Sequence, residues 1–575
     1  MKSKKIVNSV LILLIFSSVL TMSSTLAYEE ESTTLQLEEI NTVSRVVIFS
    51  MDAFRYDYWS RTGDAASFEW IKEQGVTAAY NVPSNPSVTA VNHVSIITGN
   101  HPDKHGILGN TFYDWETNKS YSLFSDASDP YRDTNTGLHL MTTKPSVIHA
   151  EEQGIKTAVF AWPYVDFGTE FEGMSPTYLY DYDWFGANNL RTDKGIANKV
   201  ADTLIDDPDI GLVYAWLPGV DSIGHSTGPD SVGIKQVIDF SLDVALRTFF
   251  EKLESAGLLE ETVVILESDH GMAAVTDDDY FLETKSFYLD AVANTGLDPY
   301  IAHDAAFELL YFIGETNTTK VEEFAGYLYG QDGVQAVFVN DEHNSINIDN
   351  PARGVNISVW LEPGRSRNFG GSYLGMHGYL NNNTDMRGVF LAAGPGIAKN
   401  SAIGGIDMID IAPTALALLG IESGFASDGS VLSSIYGTRT EAFSFPDMYA
   451  PSISTITLNP TEPRAGVDNV IEVKVYEFGT IVSAEAEITI DNGTVRTIDL
   501  EDIGSNNTFF GTMGDFIEGQ VVSVIVTVED SIGLQAIDDT VTFTVNAPQK
   551  TSYSLISLIA LIFVVPYVYR KKRNN

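Results

Sequence analysis

The sequence predicts an α/β domain built on a mostly parallel sheet, followed by a smaller all-β domain. Short apolar runs at residues 46–50, 212–217 and 262–266 alternate with helical stretches. Each run is apolar throughout, as is typical of strands buried on both faces of a parallel sheet. Beyond Pro451 the helical periodicity gives way to alternating strand-type residues.

The two ends of the chain carry signals for export and anchoring. Residues 1–27 combine early lysines, an apolar run and a small-residue cleavage site, which predicts a secretory signal peptide. An acidic leader follows over residues 28–42. Residues 553–569 are predicted to form a transmembrane anchor, with the basic residues 570–575 left in the cytoplasm. We therefore expect an exported cell-surface protein held in the membrane by a single C-terminal helix.

Composition excludes several classes of protein. The 575 residues include 34 basic and 77 acidic side chains, giving a net charge of −43. So acidic a surface repels nucleic acid, and we expect no nucleic-acid binding. The chain has no cysteine, which excludes a disulfide scaffold and any thiolate metal site.

The chain between its termini divides into two predicted domains. Residues 43–448 form the α/β domain, whose clearest helix covers residues 232–253. Residues 273–373 interrupt the strand–helix alternation and are interpreted as an α+β insertion or cap. Residues 451–547 predict a β-sandwich of immunoglobulin-like architecture without the disulfide, and its simplest role is that of a stalk.

The stretch over residues 83–99 contains a candidate nucleophile. Its first half is rich in Pro, Ser and Asn, and its second half has helical spacing that ends at Gly99. Thr89 therefore lies at the first turn of a helix, where the free backbone N–H groups and the helix dipole favour a phosphate. Threonine is also a common helix cap, so its role depends on partners elsewhere in the chain.

Acidic side chains follow all three apolar strands, and ligands of α/β sheets gather beyond the carboxyl ends of the strands. Histidines lie near two of these acids and in a later glycine-rich loop. Zinc accepts His nitrogen and carboxylate oxygen, and two divalent ions can clamp a phosphoryl centre. The candidate metal ligands are Asp52, Asp221, Asp269, His225, His270 and His377.

Seven motifs carry a resemblance to a known family. They are SMDAFR (residues 50–55), PSVTAVNH (86–93), TG (98–99), HGI (105–107), DSIGH (221–225), SDHGM (268–272) and HGY (377–379). In order and spacing they resemble the nucleotide pyrophosphatase/phosphodiesterase (type I phosphodiesterase) family of the alkaline phosphatase superfamily. The similarity extends over about residues 45–421, and the motifs together are far more specific than any one of them.

The resemblance implies an alkaline-phosphatase-like fold that holds two zinc ions, with other divalent metals possible. It also implies hydrolysis of phosphodiester or pyrophosphate bonds in a small nucleotide-like substrate, through a phospho-threonine intermediate at Thr89. Asn92 is expected to hold a phosphate oxygen. The implied metal ligands are Asp221, His225 and His377 for one ion, and Asp52, Asp269, His270 and Thr89 for the other.

The sequence departs from the family pattern in two places. Ala90 stands where nucleotide-cleaving members carry an aromatic residue that would stack on a base. Leu380 replaces an Asp after the HGY motif, which is expected to loosen the surroundings of His377. Replacement stacking groups could come from the segments that contain Trp162, Tyr178, Tyr180 and Tyr182.

Alternative functions remain open at this point. A phosphomonoesterase of the same superfamily ranks second, because no motif for an additional phosphate-binding Arg or a third metal is present. A sulfatase ranks lower, since Val88 replaces the Arg of that signature and there is no Cys to oxidise. A non-catalytic surface binding protein is the alternative from another class. His93 and His105 are expected to be structural rather than metal ligands.

Overall fold

The computed structural model describes residues 43–548 except for short gaps, which are residues 62–64, 123–131, 134–137, 164–173, 183–189, 277–279, 282–286, 316, 368–372, 422–423, 492 and 503–506. The described chain forms two compact units, the first ending at Phe445 and the second beginning at Pro446. The predicted signal peptide, acidic leader and membrane anchor lie outside the described residues. Within the described ranges, none of the helices has the length and apolarity that crossing a bilayer requires.

The first unit is built on an eight-stranded sheet. Its strands, in spatial order, are Ser401–Ile403, Gly75–Ala78, Phe390–Ala393, Thr262–Glu267, Arg45–Met51, Ile210–Leu217, Lys156–Phe160 and Tyr178–Tyr180. All neighbours are parallel except around Phe390–Ala393, which runs antiparallel to the strand on either side. The sheet is therefore mixed but mostly parallel, as the sequence predicts.

The register of three central strands aligns the ends that carry the candidate ligands. Strand Arg45–Met51 lies between the other two, with Met51 opposite Leu217 and Ser50 opposite Glu267. The residues that follow these strands thus emerge at one edge of the sheet.

Helices cover both faces of the sheet, because its central strands are apolar on both sides. Val46 and Ile48 share an apolar cluster with Ile97, whereas the Phe49 ring meets Phe249 on the other face at 5.0 Å between centroids. The α-helices described in this unit outside residues 273–373 are Ala66–Gln74, Thr89–Thr98, Pro102–His105, Ser146–Glu152, Asp193–Asp206, Gly219–Thr227, Val232–Val237, Asp243–Ser255 and Ile411–Leu418. A π-helical turn at Ile238–Leu242 interrupts the helix that the sequence predicts as one piece.

Residues 273–373 contain a second, antiparallel sheet of four strands, hereafter the cap sheet. Its spatial order is Tyr300–Asp304, Phe307–Tyr311, Ile357–Leu361 and Val334–Val339. Helices Leu289–Thr295 and Thr318–Gly326 accompany it. The helix that begins at Thr89 contributes to both apolar cores, because its Val94 belongs to the cluster that includes Leu309 of the cap sheet and its Ile97 belongs to the cluster of the central sheet.

Among the described residues, the first unit also contains five two-stranded ribbons. They are Asn81–Val82 with Ile406–Asp407, Thr111–Asp114 with Lys119–Ser122, Arg132–Asp133 with Leu138–His139, Ala273–Ala274 with Gly375–Met376, and Tyr280–Phe281 with Ser366–Arg367. The ribbon that includes Gly375–Met376 precedes His377 directly and so directs the HGY loop.

The second unit consists of two four-stranded antiparallel sheets over one core. One sheet holds Ser452–Asn459, Asn469–Tyr476, Thr508–Gly514 and Glu501–Asp502, and the other holds Thr494–Asp499, Ile481–Ile490, Val521–Asp530 and Gln535–Thr544. Alternate residues such as Val473 and Val524 are fully buried, as strand periodicity requires. The unit is a β-sandwich, and its immunoglobulin-like assignment stays a prediction.

Candidate metal centre and nucleophile

The first acid–histidine group consists of Asp52, Asp269 and His270, all almost completely buried. Asp52 follows the central strand, and its Oδ2 accepts a hydrogen bond from Trp216 Nε1 at 2.8 Å. Asp269 follows the adjacent strand, where its Oδ1 accepts the backbone N–H groups of Ala53 and His270. These bonds fix one oxygen of each carboxylate and leave the other directed toward His270 Nε2, 3.6 Å from Asp52 Oδ1 and 3.2 Å from Asp269 Oδ2.

The second group consists of Asp221, His225 and His377. Asp221 and His225 share one face of helix Gly219–Thr227 because they are four residues apart. His377 approaches from the glycine-rich loop. Asp221 Oδ1 lies 3.3 Å from His225 Nε2 and 3.6 Å from His377 Nε2. The sequence therefore predicts both groups as the structure assembles them.

All three histidines direct Nε2 toward the carboxylates of their group and use Nδ1 for a backbone hydrogen bond. Nδ1 of His225, His270 and His377 contacts the backbone carbonyl of Gly375, Gly271 and Ser87, at 2.8, 2.9 and 3.2 Å respectively. A carbonyl oxygen can only accept, so each Nδ1 carries a proton, and Nε2 is the nitrogen whose lone pair a bound metal would use. Histidines that bind metals are commonly oriented by such an Nδ1 hydrogen bond.

The Ser87 carbonyl takes over the role that the sequence leaves open at Leu380. Leu380 is buried in apolar surroundings and supplies no polar partner. The Ser87 carbonyl instead accepts from His377 Nδ1 and from the Gly378 N–H, and Ser87 Oγ donates to the Tyr379 carbonyl. The predicted loosening of His377 is therefore offset by the loop that leads to Thr89.

The two groups lie side by side. The rings of His270 and His377 stack with centroids 4.0 Å apart, and the rings of His225 and His377 are 5.0 Å apart. Burial and the charges of Asp269 and Asp221 raise the pKa of Asp52 well above its ordinary value. Burial works against ionisation of His225, but the Asp221 carboxylate raises the pKa of His225 to about 9. The carboxylates thus concentrate negative charge that requires a cationic partner.

The donor set fits divalent cations. Asp52 Oδ1, Asp269 Oδ2 and Asp221 Oδ1 are buried and have no hydrogen-bond partner among the residues that the structure describes. Such oxygens are rarely left unpaired in native proteins unless a metal or water completes them. Together with three available Nε2 atoms, they form two sets of mixed nitrogen and oxygen ligands, the type that zinc accepts.

Thr89 is the first residue of its helix, as predicted, and is half-buried beside the first group. Its Oγ1 lies 3.4 Å from His270 Nε2. Asp269 Oδ2, which has no hydrogen-bond partner among the described residues, lies 3.5 Å from His93 Nδ1, and that nitrogen donates to the Thr89 carbonyl. His93 itself is fully buried, and burial lowers its pKa to about 3, in keeping with a structural role.

Asn92 does not fit the phosphate-holding role predicted for it. Its side chain is fully buried, its Oδ1 accepts the Ser84 N–H at 2.9 Å, and its Nδ2 contacts the Pro86 carbonyl at 3.4 Å. The amide is used to fasten the preceding loop to the helix. The prediction was wrong because proximity to Thr89 in sequence does not determine which way an amide side chain is directed.

Asn110, which sequence reasoning missed, contacts the start of the Thr89 helix instead. Its Oδ1 accepts the Ala90 N–H at 3.0 Å. Its own backbone N–H and side-chain Nδ2 donate to Asp304 at the end of the first cap-sheet strand. The cap sheet is thereby linked through Asn110 to the turn that carries the candidate nucleophile.

The aromatic residues divide into structural and site-facing sets. Trp162 is fully buried, and its Nε1 donates to the His93 carbonyl, so it supports the helix rather than lining a pocket. Tyr182 packs on Trp216 at 5.1 Å, next to Asp52. Tyr373, which the sequence reasoning missed, meets the His225 ring edge-on at 5.2 Å. Tyr178 and Tyr180 lie on the edge strand of the central sheet, where Tyr180 stacks on Phe160.

Comparison with known proteins agrees with this geometry. The family model described as type I phosphodiesterase/nucleotide pyrophosphatase matches residues 46–322. An uncharacterised pyrophosphatase/phosphodiesterase of Schizosaccharomyces pombe is 29% identical over 364 residues, which cover 61% of this chain and 71% of that protein. Ectonucleotide pyrophosphatase/phosphodiesterase family member 3 of Mus musculus is 28% identical over 394 residues, 66% of this chain but only 42% of its own length.

Among solved structures, murine ectonucleotide pyrophosphatase/phosphodiesterase 5 matches with a TM-score of 0.57 at 22% identity. The match covers 68% of this chain and 100% of that one, which is an inactive threonine-to-alanine variant in complex with AMP. The fold is therefore like that of the alkaline phosphatase superfamily. Over residues 46–322 the chain is similar to the nucleotide pyrophosphatase/phosphodiesterase family.

Proposed function

We propose that the chain is an exported, metal-dependent phosphodiesterase and nucleotide pyrophosphatase. The observation that carries this proposal is the convergence of two acid–histidine groups, each with its ligand atoms within 4.8 Å of one another, beside Thr89 at a helix start. A hydroxyl nucleophile next to two cation sites is the arrangement that phosphoryl transfer uses.

Thr89 is the proposed nucleophile. Its Oγ1 forms a bond to phosphorus as its proton passes to water, and the bond from phosphorus to the leaving-group oxygen breaks. A water molecule then attacks the phospho-threonine, which restores the Thr89 hydroxyl and releases the phosphorylated product. The helix dipole at residue 89 favours the anionic phosphate throughout, and Asn110 positions that helix start through the Ala90 N–H.

Two zinc ions are the proposed cofactors, because both sets mix imidazole nitrogen with carboxylate oxygen. Asp221, His225 and His377 would hold one ion, and Asp52, Asp269 and His270 the other, with Thr89 adjacent. When bound, a pair of such ions would stabilise the charge that develops on the phosphate oxygens. Trp216, through its bond to Asp52 Oδ2, would orient a ligand rather than contact the substrate.

The proposed substrate is a small nucleotide-like phosphodiester or pyrophosphate. The naming of the murine relative as an ectonucleotide pyrophosphatase, and the AMP complex of the murine structure, support this class. Ala90 is fully buried and therefore cannot contact a base. The aromatic side chains of Tyr182 and Tyr373 lie next to the first and second acid–histidine groups respectively. We propose that these two side chains contact the leaving group.

The proposed location is the outside of the cell. The predicted signal peptide over residues 1–27 and the predicted anchor over residues 553–569 support it, as does the word "ectonucleotide" in the relative's name. In this arrangement the sandwich, with immunoglobulin-like architecture, acts as a stalk between the hydrolase and the anchor.

The experiment measures hydrolysis of bis-p-nitrophenyl phosphate by the purified full-length chain. We expect turnover that a chelator abolishes and that added zinc restores. Thr89→Ala should lose at least about a thousandfold in kcat while keeping most of its bound metal, because the nucleophile is removed and the carboxylate and imidazole ligands stay. The matched control is Thr318→Ala, at an exposed threonine of the same unit, which should keep full activity.

Three results would overturn the proposal. An active Thr89→Ala enzyme would refute the nucleophile. Faster turnover of p-nitrophenyl phosphate than of the diester would favour the monoesterase of the same superfamily, and the absence of any turnover in zinc-loaded protein would favour a surface binding protein.

A further inference from the structure

Three carboxylates meet at one end of the β-sandwich, and all three come later in the sequence than the acid–histidine groups. Asp447 lies in the segment before the first sandwich strand, and Glu477 follows strand Asn469–Tyr476 directly. Asp530 is the last residue of strand Val521–Asp530, in the opposite sheet. One oxygen from each lies within 4.8 Å of the other two. Elements from both sheets and the entering segment therefore contribute to one acidic cluster.

Asp530 provides the observation that distinguishes this cluster from an ordinary acidic surface. The residue is only 1% exposed. Its Oδ1 accepts the backbone N–H groups of Ile532 and Leu534, both at 2.9 Å, which fixes the carboxylate plane. Its Oδ2 is buried within the cluster and has no hydrogen-bond partner among the residues that the structure describes. A buried carboxylate oxygen of this kind requires a cation or a donor.

The surrounding backbone holds the cluster together. Gly479 N–H donates to Glu477 Oε1 at 2.7 Å, and a Cβ on Gly479 would lie 2.0 Å from Asp447 Oδ2. Only glycine thus allows Asp447 this close to the turn. The Ser531 N–H donates to the Thr480 carbonyl at 2.8 Å, which ties the Glu477 turn to the end of the Asp530 strand. These two hydrogen bonds and the close approach at Gly479 hold the segments that carry the three carboxylates near one another.

We propose that Asp447, Glu477 and Asp530 bind a calcium ion. The donors are carboxylate oxygens alone, which hard cations prefer and which differ from the mixed sets of the proposed zinc centre. Calcium tolerates irregular geometry and carboxylates that bind through one or both oxygens, whereas magnesium demands near-ideal octahedral ligands. The ion would neutralise the negative charge of these buried and half-buried carboxylates. It would also connect the two sheets of the sandwich at the end where the cluster lies.

Isothermal titration of calcium into the full-length chain tests the proposal. The chain is loaded with zinc beforehand so that the acid–histidine groups are filled. We expect one calcium ion per chain with a Kd of roughly 10 µM to 1 mM, the range of extracellular calcium modules and weaker sensors. Asp530→Asn should raise the Kd at least about tenfold, because it removes one of three charged ligands. Asp515→Asn, at an exposed aspartate of the same sandwich, is the matched control and should leave the Kd unchanged.

Thermal unfolding gives a second readout that is independent of activity. Calcium should raise the unfolding temperature of the zinc-loaded wild type by several degrees over that in calcium-free buffer, and it should raise that of Asp530→Asn much less. Without calcium the variant should be at least as stable as the wild type, since an amide replaces a buried carboxylate whose Oδ2 has no hydrogen-bond partner among the described residues. If Asp530→Asn does not fold, Glu477→Gln, at a half-buried position, takes its place in both assays. Equal calcium binding by wild type and variant, or no binding at 10 mM calcium, would overturn the proposal.

Discussion

Replacing Trp216 by phenylalanine tests how strongly the proposed metal centre depends on its supporting hydrogen bonds. The indole Nε1 donates to Asp52 Oδ2 at 2.8 Å, and the ring also lies against His93 and Tyr182. Phenylalanine keeps an aromatic ring at this position and removes the Nε1 donor. Loss of such a partner commonly lowers metal affinity or activity 10- to 100-fold, which is about 1.4–2.7 kcal/mol. We expect Trp216→Phe to weaken zinc binding at the Asp52 group by that amount.

The assay is competition for zinc between the protein and a coloured chelator, with bound zinc counted by mass spectrometry. Trp162→Phe is the matched control, because Trp162 Nε1 also donates a buried hydrogen bond, but to the His93 carbonyl rather than to a proposed ligand. It should lower the free energy of unfolding by roughly 1–3 kcal/mol, because a buried hydrogen bond and part of a buried ring are lost, and it should leave zinc affinity unchanged. Zinc affinity of Trp216→Phe within twofold of the wild type would refute the supporting role of the indole.

Two further predictions concern the folded framework. Burial raises the pKa of Asp304 to about 6, so the folded state binds a proton more tightly than the unfolded state and the contribution of this group to stability falls as pH rises from about 4 to 6. In urea titrations, the unfolding free energy of Asp304→Asn minus that of the wild type should therefore grow by up to about 3 kcal/mol between pH 4 and 7. A difference that does not vary with pH would contradict this. Gly75→Ala should lower the unfolding free energy by about 1–3 kcal/mol, because the new Cβ would lie 2.3 Å from the Ala392 carbonyl oxygen. In the control variant Gly326→Ala the new Cβ meets no atom within 4 Å, so this variant should be neutral or slightly stabilising. Equal thermal shifts in the two variants would refute the packing argument.

The parts of the fold that follow local patterns could be predicted from the sequence. The apolar runs before Asp52, Asp221 and Asp269 form adjacent parallel strands, and the helical spacing after Thr89 forms a helix. These features depend on hydrophobic periodicity, which is written in neighbouring residues. The direction of strand Phe390–Ala393 could not be predicted, because it depends on which strands it pairs with in space.

The supporting contacts of the site were largely hidden from sequence reasoning. The histidines are oriented by backbone carbonyls, such as that of Ser87, which no residue type announces. Asn92 and Asn110 are alike in chemistry, and only the three-dimensional path of the chain decides which of them meets the start of the Thr89 helix. Trp216 could be placed near a strand end, but its bond to Asp52 depends on a side-chain rotamer. The role of Asn110 could be recognised only from its hydrogen bond to Asp304 of the insertion, which requires the three-dimensional structure.

The most direct test of the account is anomalous X-ray diffraction from zinc-loaded crystals of the protein. We expect two zinc peaks about 3.5–4 Å apart. One peak should be bounded by Asp221, His225 and His377, and the other by Asp52, Asp269 and His270 with Thr89 Oγ1 adjacent. A map with no zinc at either group, or with zinc bound only elsewhere on the chain, would contradict the central claim that these six side chains form one metal centre beside a hydroxyl nucleophile.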